Sequence, residues 1–195
     1  PPSVVIDIVR EKDVSRTGNF IGRVEAVSSV DIRARVKGIL QARNFIDGQT
    51  VTKGRRLFVI ESASYQVVVE QRRAELASAR AKEINAAADF RRKKALRGRS
   101  VVSGAALDEA KAALASARAD VLKSKAELQA AQLDLGYTTI ASPLTGRISR
   151  ATYSVGNLVG SDSDPLATVT SIDPIHVTIG VSEKDLIEAR KRGIN

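Results

Sequence analysis

The chain has 195 residues, with 31 lysines and arginines against 22 acidic residues, a formal charge of +9, no cysteine, no methionine and 4% aromatic residues. These figures exclude disulfides, thiol chemistry and cysteine-ligated metal centres, and they argue against a single thick core. The charge leaves nucleic acid, anionic lipid and acidic protein open as partners.

No run approaches the ~18 apolar residues that span a bilayer, and no signal peptide is visible. With no methionine at position 1, the text reads as a processed chain or an internal segment, and a membrane anchor, if the native protein has one, is expected to lie outside it.

Residues 1–27 hold two strand-like stretches, "SVVIDIVR" and "TGNFIGRVEAV". From Val30 the text becomes "VDIRARVKGILQARNFIDGQTVTKGRRLFVIES", in which Ile32, Ala34 and Val36 alternate with charged neighbours. That alternation is the period of a half-buried strand. Gly38, Gly48 and Gly54 punctuate it as turn positions, so residues 28–62 predict short β-strands.

Residues 63–135 are a proline-free, alanine-rich block. Leu107, Leu114, Val121, Leu128 and Leu135 recur every seven residues, and Ala110, Ala117, Ser124 and Ala131 follow the first four by three. This is a coiled-coil seam in which large and small residues alternate. Val69, Leu76, Ala79, Ala87 and Phe90 can supply the facing stripe. "GRSVVSG" interrupts the pattern, which predicts an antiparallel helical hairpin with its tip near 98–104. Ser103 is placed to cap the second helix, with Asp108 and Glu109 in its early turns. Before the tip, Arg91, Arg92, Lys93, Lys94, Arg97 and Arg99 make a cationic run that also contains Leu96.

Strand texture returns at 136–171. Gly146 and Gly156 are ten apart, as are Gly38 and Gly48, and "ATV" at 167–169 matches "FVI" at 58–60 if two extra residues are allowed near "SDSD". The pattern is an internal repeat interrupted by the hairpin. Neither half has the apolar residues for its own core, so the two are expected to pack as one β-sandwich. Hinges are expected where Glu61 and Gly136 meet the hairpin and again near 171–174. Residues 172–195 add a strand and a short helix, which with 1–27 read as part of a further β module.

No catalytic constellation emerges. His176 is the only histidine and sits in an apparent strand, which disfavours a zinc site. "SDSDP" lacks the ligand count of a calcium loop. The glycines are too sparse for a phosphate cradle. Three tyrosines and four phenylalanines form no stacking platform for nucleic acid. A basic coiled-coil module gripping phosphates remains the alternative that charge alone suggests.

A split β-sandwich carrying a coiled-coil hairpin resembles the periplasmic adaptors, or membrane fusion proteins, of tripartite resistance-nodulation-division (RND) efflux pumps. "VDIRARVKGILQARNFIDGQTVTKGRRLFVIESASYQ" resembles their first lipoyl half-motif and "LDLGYTTIASPLTGRISRATYSVGNLV" the second. The arginine, leucine and serine of the family's hairpin tip match Arg92, Leu96 and Ser103, followed by a fitting "LDEA".

The resemblance implies a mixed α and β, elongated and modular fold: a lipoyl-like sandwich over 28–62 and 136–171, the hairpin over 63–135, and a partial β-barrel module over 1–27 and 172–195. It implies a non-enzymatic protein of the periplasm, anchored to the inner membrane. Its partners would be an outer-membrane channel, an inner-membrane RND transporter and further copies of itself in a ring, with no nucleic acid. Arg92, Leu96 and Ser103 would dock the channel, with Arg91, Lys93, Lys94, Arg97 and Arg99 aiding encounter. No cofactor is implied, because the lysine of a working lipoyl carrier is replaced by the helical insertion. An adaptor of an ATP-driven exporter or a type I secretion system is the neighbouring alternative.

Overall fold

The computed structural model describes residues 2–4, 8–11, 20–97, 103–183 and 187. In chain order the elements are β1 (Gly22–Ala26), β2 (Ser29–Ile32), β3 (Gly38–Arg43), β4 (Thr50–Val51), β5 (Arg56–Ile60), α1 (Ala63–Arg97), α2 (Gly104–Tyr137), β6 (Thr139–Ala141), β7 (Gly146–Ile148), β8 (Leu158–Val159), β9 (Ala167–Thr170) and β10 (Ile175–Ile179). They form two units: Ser28–Asp173, and Pro1–Val27 with Pro174–Asn195.

In the first unit, alanine content and the absence of proline let α1 and α2 run for 35 and 34 residues, each about 50 Å at 1.5 Å per residue. Isolated helices are marginal in water, and these two support each other through the seven-residue stripe. Ala110, Leu114, Ala117 and Ala131 of α2 are buried, as are Val69, Leu76 and Ala79 of α1. Leu107, Val121, Leu128, Leu135, Ala87 and Phe90 are half-buried.

The stripe of α1 also contains two charges that apolar pattern reading passes over, Arg72 and Glu83. Each reaches the opposite helix, Arg72 to Glu127 at 3.7 Å and Glu83 to Arg118 at 3.4 Å. The hairpin extends beyond the expected limit of 135, because Thr138 closes α2 after Gly136. The Thr138 backbone N–H bonds the carbonyls of Leu135 and Gly136, and its hydroxyl donates to Leu135 O at 2.7 Å.

The strands around the hairpin form two four-stranded sheets, ordered β2-β9-β7-β4 and β6-β5-β3-β8. Exchanging the first half of the sequence for the second turns one sheet into the other. The hydrogen bonds repeat accordingly. Gly48 N–H donates to Ile148 O at 3.0 Å and Gly156 N–H to Leu40 O at 2.8 Å; Leu40 N–H donates to Asn157 O and Ile148 N–H to Gln49 O. Asn44 N–H bonds Leu57 O as Thr152 N–H bonds Leu166 O. Equivalent residues are 108 apart at Gly48 and Gly156 but 109 apart at Leu57 and Leu166. The second half therefore gains one residue, not the two that the sequence comparison allows.

Each sheet thus takes strands from both halves, and one core fills the space between them. Leu40, Val51, Leu57, Phe58 and Ile60 from the first half meet Ile148, Val159, Leu166 and Val169 from the second. Phe45 packs edge-on against Phe58 with ring centroids 5.1 Å apart.

The four marker glycines do two different jobs. Gly48 and Gly156 are turn residues with φ of 77° and 97°, values that favour glycine. Gly38 and Gly146, expected from the sequence to be turn residues like the other two, are instead the first residues of β3 and β7. A Cβ on Gly38 would lie 2.5 Å from the Ile60 Cγ2 methyl, and one on Gly146 would collide with the Thr170 carbonyl. Close packing of strands excludes a side chain at both.

In the second unit β1 pairs antiparallel with β10, Val24 opposite Val177. Val24, Ala26, Ile175, Val177 and Ile179 share one face of this ribbon, and Arg23, Glu25, His176 and Thr178 the other. The expected strand at 3–10 lies partly outside the described residues, and its described part is not in a strand. The expected helix beyond 182 lies largely outside them.

Candidate functional site at the hairpin tip

The chemistry-bearing residues that sequence reading singles out gather where α1 ends and α2 begins. Lys94 and Arg97 occupy the last turn of α1, where the helix dipole favours cations. Part of the basic run is therefore explained by the helix itself. Ser103 caps α2 in an extended conformation, and its Oγ accepts a hydrogen bond from Ala106 N–H at 3.2 Å. The Arg97 guanidinium extends toward Gly104, with Nη1 3.5 Å from where a Cβ on that glycine would be. Arg99 lies outside the described residues.

Helical spacing sorts the remaining tip residues. Asp89, Arg92, Lys93 and Leu96 stand at i, i+3, i+4 and i+7, on one face of α1. Arg91 and Lys94 fall elsewhere around the helix, and Arg91 Nε turns back to donate to Ala87 O at 3.3 Å. The Arg92 side chain is 68% exposed and Leu96 is 41% exposed. The structure thus brings Arg92 and Leu96 together with Lys93, and gives Ser103 a capping role nearby.

Asp89 is the member of this face that motif reading misses. Its Oδ1 lies 3.4 Å from Arg92 Nη2 and its Oδ2 3.1 Å from Lys93 Nζ. The hydrogen bond from Lys93, followed by the charges of Lys93 and Arg92, holds its carboxyl below the ordinary aspartate range. The available signal in the sequence is that Asp89 is the only acidic residue between Glu83 and Asp108.

The hairpin base is tied to the sandwich at several points. Ile60 N–H donates to Thr138 O at 2.8 Å and Glu61 N–H to Ile39 O at 2.9 Å. Tyr65 OH donates to Lys37 O at 2.7 Å, and the Arg35 guanidinium lies 5.0 Å from the Tyr137 ring centroid. Where hinges are expected at Glu61 and Gly136, the structure places a bonded joint and a helical glycine.

Elsewhere the chemistry is sparse. An open cleft of about 710 Å³ between the edge strands β2 and β6 is bordered by Arg33, Arg35, Tyr137 and Pro143, with no acid–base pair converging on it. Among the described residues no group of three metal-ligating side chains occurs, and no helix is long and apolar enough to cross a membrane. His176 lies exposed on β10 opposite Glu25. Near Asp162 and Asp164 the loop is organised by its own turns, with Asp164 N–H donating to Tyr153 OH at 3.1 Å.

Comparison with known proteins follows this division of the chain. Residues 28–171 match the family described as "RND MFP, barrel-sandwich hybrid domain". The chain is 41% identical over 194 residues to the efflux pump periplasmic linker BepF of Brucella suis, covering 98% of the chain and 47% of that protein. It is 31% identical over 195 residues to the multidrug efflux pump subunit AcrA of Escherichia coli, covering 49% of that protein. The chain therefore spans about half the length of these curated relatives. The crystal structure of MacA from Actinobacillus actinomycetemcomitans aligns with a TM-score of 0.68 at 27% identity, over 85% of this chain and 56% of MacA.

Proposed function

Because the chain belongs to the RND membrane fusion protein family, we propose that it is the hairpin-bearing part of a periplasmic adaptor for efflux of drugs or other toxic compounds. In this reading the adaptor is not an enzyme. It links an inner-membrane RND transporter to an outer-membrane channel, assembles as a ring, and meets the channel through its hairpin tip. Arg92 offers a planar, multidentate cation to acceptors on the channel's helical ends. Leu96 fills the apolar groove between those ends, while Lys93 and the other cations raise the encounter rate. Ser103 shapes the tip by capping α2.

The observation that carries this reading is the exposed Arg92–Leu96 face at the end of two helices held together by their own seam. The exposure of both side chains leaves the face open to a partner. The relatives named as periplasmic linkers and efflux pump subunits supply the setting.

The test is photocrosslinking from position 96 in the full-length adaptor, in cells of its own host, with captured proteins identified by mass spectrometry. Recovery of an outer-membrane channel, lost on Arg92→Asp, is the expected result. Recovery of nucleic-acid-associated proteins, or of no envelope protein at normal expression, would overturn the reading.

A further inference from the structure

We propose that Asp89 is the positioning residue of the docking face: it holds Arg92 and Lys93 in their binding orientation before the partner arrives. The inference rests on the tip reading above, and concerns how the arginine of that face is presented.

Asp89 is the only carboxylate between Glu83 and Asp108, amid the six cations of residues 91–99. It uses both oxygens, one for each neighbour: Oδ1 to Arg92 at 3.4 Å and Oδ2 to Lys93 at 3.1 Å. A guanidinium has five N–H donors in a fixed fork. Engagement of Nη2 by Asp89 leaves the rest of that fork for a partner, and the side chain remains 68% exposed. The Lys93 side chain is drawn in further, to 31% exposure. Leu96 completes the same face two turns above Asp89, so apolar and charged contacts are presented together.

Ordering a long cationic side chain at an interface costs rotamer freedom. Asp89 bears part of that cost in the free protein, which slows dissociation. It also removes one unit of positive charge from the tip, which slows encounter with acidic acceptors. The two effects act on different rate constants and can be measured separately.

The experiment uses the full-length adaptor and the outer-membrane channel of its own pump, identified by the position-96 crosslink and reconstituted in lipid nanodiscs. Association and dissociation are followed by surface plasmon resonance. Asp89→Asn is expected to raise the dissociation rate about threefold to fivefold, in the range of two exposed ion pairs, with association unchanged or up to about twofold faster. Asp89→Glu, which can still span one helical turn, should return the dissociation rate to near the parent value.

Nitrogen relaxation of the Arg92 side chain in the free protein should show greater motion in Asp89→Asn, whatever the partner does. Slower or unchanged dissociation in Asp89→Asn would show that Asp89 only balances charge, and would overturn the proposal. If Arg92→Ala binds as tightly as the parent, the tip reading itself falls and the role of Asp89 with it. Helicity measured by circular dichroism separates all of these outcomes from loss of the hairpin.

Discussion

The pseudo-symmetry of the sandwich provides an internal experiment, because Gly38 and Gly146 occupy equivalent positions with different neighbours. In Gly38→Ala the new Cβ would lie 2.5 Å from the Ile60 Cγ2 methyl. Ordinary carbon contacts are about 3.5–4.0 Å, so that methyl must move by about 1 Å. A side chain can do this by partial rotation, and overpacking of this kind costs about 1–3 kcal/mol. Restricting the unfolded chain returns about 0.4–1 kcal/mol, leaving a net loss of about 1–2 kcal/mol.

In Gly146→Ala the obstacle is the Thr170 carbonyl, with Leu144 Cδ1 a further 3.0 Å neighbour. Thr170 is paired with Ser29 on one side and Arg147 on the other, so it cannot yield without opening a ladder. A broken backbone bond adds about 1 kcal/mol, and the expected loss is about 3 kcal/mol or more. Hydrogen exchange of the buried Leu40 and Ile148 amides reads both variants in the same protein. A loss in Gly146→Ala equal to or smaller than that in Gly38→Ala would refute the reasoning.

Leu114→Ala, at a seam position 7% exposed, should destabilise the hairpin by about 2–3 kcal/mol in thermal melts. Leu122→Ala, at a position 68% exposed, should stay within about 0.5 kcal/mol of the parent. Tyr65→Phe removes the donor to Lys37 O; it should cost about 1 kcal/mol and broaden the spin-label distance distribution between α2 and the sandwich. An unchanged distribution would mean that this bond does not restrain the joint.

The lowered folded value of Asp89 means that its pairings persist throughout the pH range above the ordinary aspartate value, about 3.9. They are lost as pH falls through the lowered value. Carboxyl-carbon NMR should show an Asp89 midpoint below that of a free aspartate, and Lys93→Ala should raise it more than Arg92→Ala.

Much of this molecule is legible in the spacing of its residues. The seven-residue recurrence from Leu107 to Leu135 places α2 against α1 because it is a row of large apolar residues that keeps to one face along the whole helix. The ten-residue glycine spacing reveals the duplicated half because each half repeats one strand-start glycine, Gly38 or Gly146, and one turn glycine, Gly48 or Gly156. The same glycines divide into two physical kinds. Sequence cannot tell a glycine needed for a left-handed turn, such as Gly48, from one excluded by a neighbouring strand, such as Gly146. That difference depends on residues over 20 positions away, Thr170 in the latter case. Arg72 and Glu83 stay hidden in the seam because their partners lie across the hairpin. Arg92, Leu96 and Ser103 stand out through the family's tip pattern, whereas Asp89 stands out in sequence only as a lone acid among cations and joins the Arg92–Leu96 face only through helical geometry.

The bonded joint at Ile60 and Thr138 makes the hairpin a gauge whose length can change without disturbing the sandwich. Both helices enter and leave at one spot, so the strands register only the ends of the insertion. One additional heptad in each helix would carry the tip about 10 Å further while preserving the phase of the seam. Insertions of three or four residues would instead turn the stripe and re-aim the Arg92–Leu96 face around the helix axis. Reach can therefore vary in whole heptads while the direction of the contact stays fixed, and the two properties can be tuned independently.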